Sequence, residues 1–304
     1  MSVEKYLQPK DLQALTGALS EMTPGSRVIA GGTDLMIEIK NDAPEIPVLV
    51  SLVKVPELKG IGLLDTGDGC FLRIGAMECH AEIASSDAVR QNANALALAC
   101  DHVGSRQVRN RGTIGGSLGN ASVAGDMLPV LYLLDASLVL LSGDGTERTV
   151  PADCFLTGLG QTCLGGQEIV KEILIPVRPE RSSCFVKLGG RAEVTIAEIS
   201  LCLSWEMNNG QIASVQGVLG AVDRFPVRLP EAEEILGGGA IGAEACEKLT
   251  VSLSDRIRTV RLNRKRPPRL RIREGEKEFK ERAVRGVVYD AVELMCRTAG
   301  TGSL

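Results

Sequence analysis

A chain of 304 residues that is 44% hydrophobic, with a formal net charge of −4, can bury a sizeable core and is long enough for two domains. Its mild acidity excludes the general basic footprint of a nucleic-acid binder, and no segment approaches the uninterrupted apolar length of a bilayer span, so neither nucleic acid nor membrane is an expected partner. The opening residues, Met1-Ser2-Val3-Glu4-Lys5-Tyr6, lack the basic, apolar, small-residue order of a signal peptide, and cytoplasm is the expected compartment.

In chain order, Leu12, Leu15 and Leu19 mark an amphipathic helix. Arg27-Val28-Ile29-Ala30 reads as a short buried strand that runs into Gly31-Gly32, where Thr33-Asp34 offers capping oxygens before a helical stretch from Leu35 to Ile39. A strand over residues 48–52 closes a first lobe of about 1–55. The second lobe, 56–176, opens on a strand over 71–74 and continues through helical segments near Glu82 and over 88–100. A second glycine loop, an apolar segment over 128–134, and a hairpin of 137–141 with 146–150 around Asp144-Gly145 follow. A third region begins near Pro176 and Pro179. It holds a hairpin of 195–207 with 212–219 across Asn209-Gly210, expected to alternate apolar and polar on both arms, and helices near 231–236 and 276–295. The last helix carries Phe279, Ala283, Val287 and Leu294 at helical spacing. Helices and strands mixed without strict alternation indicate an α+β fold.

Residues 256–273 hold nine Arg or Lys and no acid, interrupted by Pro267-Pro268. A solvated or inter-subunit loop is the expected form, with electrostatic docking to an acidic partner as the alternative. The nine cysteines form an odd set without Cys-x-x-Cys and sit mostly among apolar neighbours. Reduced, buried thiols are expected, and with them no iron–sulfur cluster in this chain. His80 and His102 have no metal-ligand spacing, so no metal site is predicted, and His102 reads as a polar helix-end residue. Trp205 reads as core. No nucleophile–histidine arrangement is legible, and no catalytic side chain is predicted.

The chemistry concentrates in Ala30-Gly31-Gly32-Thr33-Asp34-Leu35 and Thr113-Ile114-Gly115-Gly116-Ser117. Each brings bare backbone N–H groups to a loop, and two such loops suit a doubly charged diphosphate that side chains would otherwise obstruct. Asn120, Ser122 and Asp126 follow the second loop with groups that suit a polyol. A P-loop is excluded by the lack of its lysine motif, and a Rossmann site because Gly158-Leu159-Gly160 is followed by Cys163 where the last glycine belongs. A glycine pair in a turn is more often structural than ligand-binding; the two together in order carry the inference.

These segments resemble the medium, FAD-binding subunit of molybdenum hydroxylases, the group of xanthine dehydrogenase, nicotinate dehydrogenase and aerobic carbon monoxide dehydrogenase. The Val28 strand with Ala30–Leu35 is similar to the family's first FAD loop, and Gly104-Ser105-Arg106-Gln107-Val108-Arg109-Asn110-Arg111-Gly112 running into Thr113–Gly116, with Asp126 beyond, to its second. The resemblance implies a two-lobed PCMH-type FAD-binding domain over 1–176 and a smaller C-terminal domain over 177–304, built of an antiparallel sheet and helices. It implies noncovalent FAD. Val28, Ile29, Ala30, Gly31, Gly32, Thr33, Asp34 and Leu35 would embrace the pyrophosphate, and Thr113, Ile114, Gly115, Gly116 and Ser117 would continue that contact. Asp126, assisted by Asn120 and Ser122, would hold sugar or ribityl hydroxyls, and Val103, Val170 and Lys187 occupy further contact positions. Val103 stands where xanthine dehydrogenases have a phenylalanine. Lys187 is open between a cation beside the flavin and an ordinary strand-end lysine. The implied partners are a large molybdenum-cofactor subunit, a small subunit with 2Fe-2S clusters, and NAD or another electron acceptor, in a xanthine-dehydrogenase-like system. A self-sufficient FAD oxidase and a non-enzymatic nucleotide-binding or assembly module stay open as alternatives.

Overall fold

The computed structural model describes residues 2–42, 44–67, 69–191, 194–208, 211–237, 241–263 and 278–300. Its first layer is a small parallel sheet of β1 (Ser2–Leu7), β2 (Arg27–Ile29) and β3 (Glu45–Ser51) in the order β1-β3-β2, connected through α1 (Leu12–Ser20) and α2 (Leu35–Asp42). Asp11 starts α1 by accepting from the Ala14 N–H at 2.7 Å. The expected stripe of that helix is buried at Leu15 and Leu19, which pack on Val48 and Val50 of β3 and also on Leu141 and Ile169 of the next sheet. The glycine loop after β2 is therefore carried on an anchored strand.

The second layer is a five-stranded antiparallel sheet, β4 (Ile61–Thr66), β5 (Gly69–Gly75), β6 (Ser137–Ser142), β7 (Glu147–Pro151) and β10 (Glu168–Pro176), in the order β4-β5-β10-β6-β7. Six helices intervene between β5 and β6: α3 (His80–Ser85), α4 (Asp87–Asn92), α5 (Asn94–Asp101), α6 (Arg106–Arg109), α7 (Ile114–Asn120) and α8 (Met127–Leu133). The single helix expected over 88–100 is broken at Ala93, whose extended φ of −152° ends α4 and starts α5. A two-stranded ribbon of β8 (Leu156–Gly158) and β9 (Gln161–Thr162) turns through Gly160 at φ +65°, so Gly158-Leu159-Gly160 is a hairpin tip.

The third layer is an antiparallel sheet of β11 (Arg181–Gly189), β12 (Ala197–Asn208), β13 (Gln211–Gly220) and β14 (Val227–Arg228), in that order, with α9 (Pro230–Leu236), α10 (Ala243–Asn263) and α11 (Phe279–Ala299). The hairpin of β12 with β13 forms as expected, although Asn209-Gly210 itself lies outside the described residues. The expected alternation does not hold in β12, where every residue from Ile199 to Trp205 is buried. One face packs on α10 and α11 around Trp205, and the other joins Cys202 to the main core of the second layer. A strand covered on both faces has no polar side to alternate with. In α11 the buried stripe is Val284, Val287, Val288, Ala291, Val292 and Met295; of the residues expected there only Val287 is fully buried, and Phe279 is exposed.

Helix α10 corrects the reading of the basic tract. Cys246, Leu249, Leu253 and Ile257 form its buried stripe, so residues 256–263 are helical rather than loop. Arg256 pairs with Glu231 at 2.8 Å, and Arg258 and Arg261 converge on buried Glu281 of α11 at 3.1 and 2.5 Å. The rest of the tract, with Lys265 and Pro267-Pro268, lies outside the described residues.

Candidate FAD site

The first loop leaves β2 where Leu52 N–H donates to the Ile29 carbonyl at 3.0 Å. In it, the N–H groups of Gly31, Gly32, Thr33 and Asp34 have no acceptor among the described residues. Four adjacent free donors at the N-terminus of α2 make a surface for an anion. Gly31 is required by contact: a carbon added there would stand 1.9 Å from the carbonyl oxygen of Arg111. The backbones of the two loops thus touch, which no side chain at Gly31 would permit.

The second loop differs from the expectation that both bring bare N–H groups. Thr113 caps α7, its Oγ1 accepting from Gly116 N–H at 3.1 Å. The N–H groups of Ile114 and Gly115 donate to the carbonyls of Glu78 and Ala76, and that of Ser117 to the carbonyl of Thr113. These four amides are spent on seating the loop. What it turns towards the first loop is a side-chain-free surface at Gly116, whose added carbon would lie 3.7 Å from Ala30 Cβ, together with the Ser117 hydroxyl.

Between the loops lies a narrow cavity of about 60 Å³, lined by Ala30, Gly31, Gly32, Thr33, Asp34, Leu35, Gly112, Thr113, Gly116 and Ser117. Ala30, Leu35 and Gly116 also border a larger space of about 370 Å³, walled by Val28, Gly115, Asn120 and Val170 among others. A third, polar space of about 950 Å³ is lined by His102, Arg106, Arg109, Lys187 and Gly189. Ile29 and Ile114 line none of these spaces: Ile114 is wholly buried and Ile29 packs near Ile39. Val103 packs partly buried against the main core, Ser122 is exposed beyond α7, Asp126 is buried, and none of the three lines these spaces.

Lys187 is held in a buried ion pair. Its side chain is 3% exposed, and Nζ donates to Asp126 Oδ2 at 2.7 Å and to the His102 carbonyl at 2.9 Å. Burial pushes the Asp126 carboxyl above its ordinary range, and Lys187 works against that rise. The other oxygen, Oδ1, is buried without any hydrogen-bond partner. A buried carboxylate oxygen left unsatisfied is costly, and a hydroxyl-bearing ligand would satisfy it. The free amides suit a diphosphate, and the orphaned Asp126 oxygen, which lines none of the three spaces, is an acceptor of the kind a hydroxyl would satisfy.

Two supports were not legible in the sequence. His80 is buried beneath the second loop, its Nε2 3.1 Å from Ser117 Oγ, and burial followed by the charge of Arg109 lowers its pKa to about 4. Arg109 donates to the carbonyls of Val103 and Gly104, holding the entry to the second loop. His102 ends α5 as expected. None of the nine cysteines is in a disulfide; five are buried and Cys154 is exposed. No helix among the described residues is long and apolar enough to cross a membrane.

Comparison with known proteins agrees with this geometry. The family described as FAD binding domain in molybdopterin dehydrogenase matches residues 1–178. The chain is 34% identical to the nicotinate dehydrogenase FAD-subunit of Eubacterium barkeri, over 83% of this chain and 86% of that one. It is 32% identical to the nicotine 6-hydroxylase medium subunit of Paenarthrobacter nicotinovorans, over 80% and 83%. Among solved structures, a chain of the carbon monoxide dehydrogenase of Hydrogenophaga pseudoflava superposes with a TM-score of 0.78 at 26% identity, covering 96% of both chains. The order of the loops, their contact and these matches agree, and the chain belongs to the family of FAD-binding domains of molybdopterin dehydrogenases.

Proposed function

We infer that this chain is the FAD-binding electron-transfer subunit of a multi-subunit molybdenum hydroxylase. The observation that carries the reading is the row of four free amides from Gly31 to Asp34, which faces Ser117 across a cavity closed by backbone contact. Residues 1–176 act as the flavin-binding portion, in lobes of about 1–55 and 56–176, and residues 177–304 as the C-terminal domain that supplies Lys187.

FAD, when bound, supplies a redox centre able to take electrons singly and release them in pairs. The residues hold and orient it. The 31–34 amides would donate hydrogen bonds to the diphosphate, while Val28, Asn120 and Val170 wall the space next to it. Asp126 is fixed through Oδ2 by Lys187, its unpartnered Oδ1 would be the acceptor for a hydroxyl that reached it, and the Lys187 ammonium places a buried positive charge beside it. Ile29, Thr113, Ile114 and Gly115 shape the loops, and Val103 and Ser122 lie at their approach.

Electrons would arrive from 2Fe-2S clusters on a small partner subunit and, before them, from a molybdenum cofactor on a large one, and leave to NAD or another acceptor. The named substrates of the two relatives, nicotinate and nicotine, are both nitrogen heterocycles, which supports a xanthine-dehydrogenase-like system acting on such a ring. Cytoplasm is the compartment proposed for it. The test is direct: the purified chain or its complex should be yellow and release FAD on denaturation. Colourless protein that takes up no FAD, alone or with partners, overturns the reading.

A further inference from the structure

His80 is buried to 1% exposure, and the reading above gives it no role. Its position follows from backbone pairing: His80 N–H donates to the Gly112 carbonyl, Ile114 N–H donates to the Glu78 carbonyl, and Cys79 stands opposite Thr113. The ring is thereby pressed under the second glycine loop, where a carbon added to Gly112 would lie 3.2 Å from Cδ2. At one edge Nε2 is 3.1 Å from Ser117 Oγ; at the other Nδ1 is 3.7 Å from Cys100 Sγ, which is itself 3.5 Å from Met127 Sδ. Ser117 in turn lines the narrow cavity together with Gly31, Gly32, Thr33 and Asp34.

A ring with a pKa lowered to about 4 is neutral near pH 7. A neutral imidazole has one donor nitrogen and one acceptor nitrogen, and a hydroxyl has one proton, so this row of groups has two internally consistent arrangements. In one, the proton on Nδ1 points at the Cys100 sulfur, a weak acceptor, the thiol turns to the Met127 thioether, and Ser117 gives its proton to Nε2. The lone pairs of Ser117 then face the cavity. In the other, the Cys100 thiol donates to Nδ1, Nε2–H donates to Ser117 Oγ, and the hydroxyl proton is free for the cavity. An anion there repels the first arrangement and gains a charge-assisted hydrogen bond from the second.

We propose that His80 is a positioning residue for the diphosphate: protonated on Nε2, it holds Ser117 Oγ as an acceptor and turns the Ser117 hydroxyl proton into the cavity between the glycine loops. The proposal rests on the assignment of FAD to that cavity. It adds one oriented side-chain donor opposite the four amides of the first loop, controlled by a residue that touches no ligand.

The test uses the full chain in its native complex, stripped of FAD and titrated with it. With only two histidines in the sequence, 15N-histidine labelling of the FAD-loaded protein should show His80 with a protonated Nε2 and an unprotonated Nδ1. Ser117→Ala and His80→Leu should each weaken FAD binding about tenfold, and the double variant should bind no more weakly than either single one. His80→Gln, whose amide N–H can stand in for Nε2–H, should keep most of the affinity. A proton on Nδ1 in the loaded protein, additive losses in the double variant, or full binding by His80→Leu would each overturn the proposal while leaving the flavin assignment intact. Should His80→Leu not fold, His80→Gln and the tautomer of the unaltered protein decide. Absence of FAD uptake by the unaltered complex overturns the flavin assignment, and this proposal with it.

Discussion

Lys187 of β11 crosses from the third sheet to Asp126, the residue that precedes α8, and the two meet at 2.7 Å with side chains 3% and 7% exposed. The ion pair joins the C-terminal sheet to the helical layer beside the second loop. A pair so buried is expensive to form and more expensive to break, because removing one partner strands the other charge away from water.

Lys187→Met should therefore destabilise the protein by about 3 kcal/mol, read from the denaturant midpoint, and reduce FAD uptake. Combining it with Asp126→Asn should recover part of the stability, since no uncompensated charge is then left buried. An equally destabilised double variant would mean that the pair is not the source of the effect.

The contact of Gly31 with Arg111 makes the smallest possible substitution severe. Gly31→Ala places a carbon 1.9 Å from a carbonyl oxygen, so the loops must part, with a stability cost of roughly 1–3 kcal/mol and a larger loss in FAD binding. Gly116→Val should abolish FAD binding with secondary structure retained, because its added carbon projects towards Ala30. Flavin content and circular dichroism measured on the same samples separate these outcomes.

His80 ties stability to pH. Its folded pKa of about 4 lies below the ordinary imidazole value of 6.5, so below pH 6.5 the unfolded chain binds a proton that the folded protein does not. The stabilisation is complete above pH 6.5 and is lost as pH falls towards 4, by about 3 kcal/mol across that window. Chemical denaturation of the wild type and His80→Gln at several pH values should show the slope in the first and a shallower one in the second.

The clasp between α10 and α11 is testable without flavin. Glu281 is buried and held by Arg258 and Arg261, so Glu281→Ala should cost roughly 1–2 kcal/mol, an amount moderated by the partial exposure of both arginines. Thermal unfolding followed by the fluorescence of the single tryptophan, Trp205 in the same core, reports on that region directly.

What the linear chain determined about this protein was whatever depends on neighbours in sequence. The strand into Gly31-Gly32, the hairpin around Gly145 and the stripe of α1 are local patterns, and each formed where it was read. Helix α10 was equally legible in the spacing of Cys246, Leu249, Leu253 and Ile257, but the run of arginines overlying that stripe obscured it. Tertiary structure decided the remainder. The full burial of Ile199–Trp205 depends on which elements cover the two faces of β12. The partners of Lys187 and His80 lie 61 and 37 residues away along the chain. Which glycine loop keeps its amides free was settled by the carbonyls of Ala76 and Glu78, which occupy those of the second loop and leave the first to face a ligand. Hydrogen bonds and burial act over a few ångströms of space, whatever the number of residues between the groups they join, so the choice among identical backbone donors belongs to the folded chain.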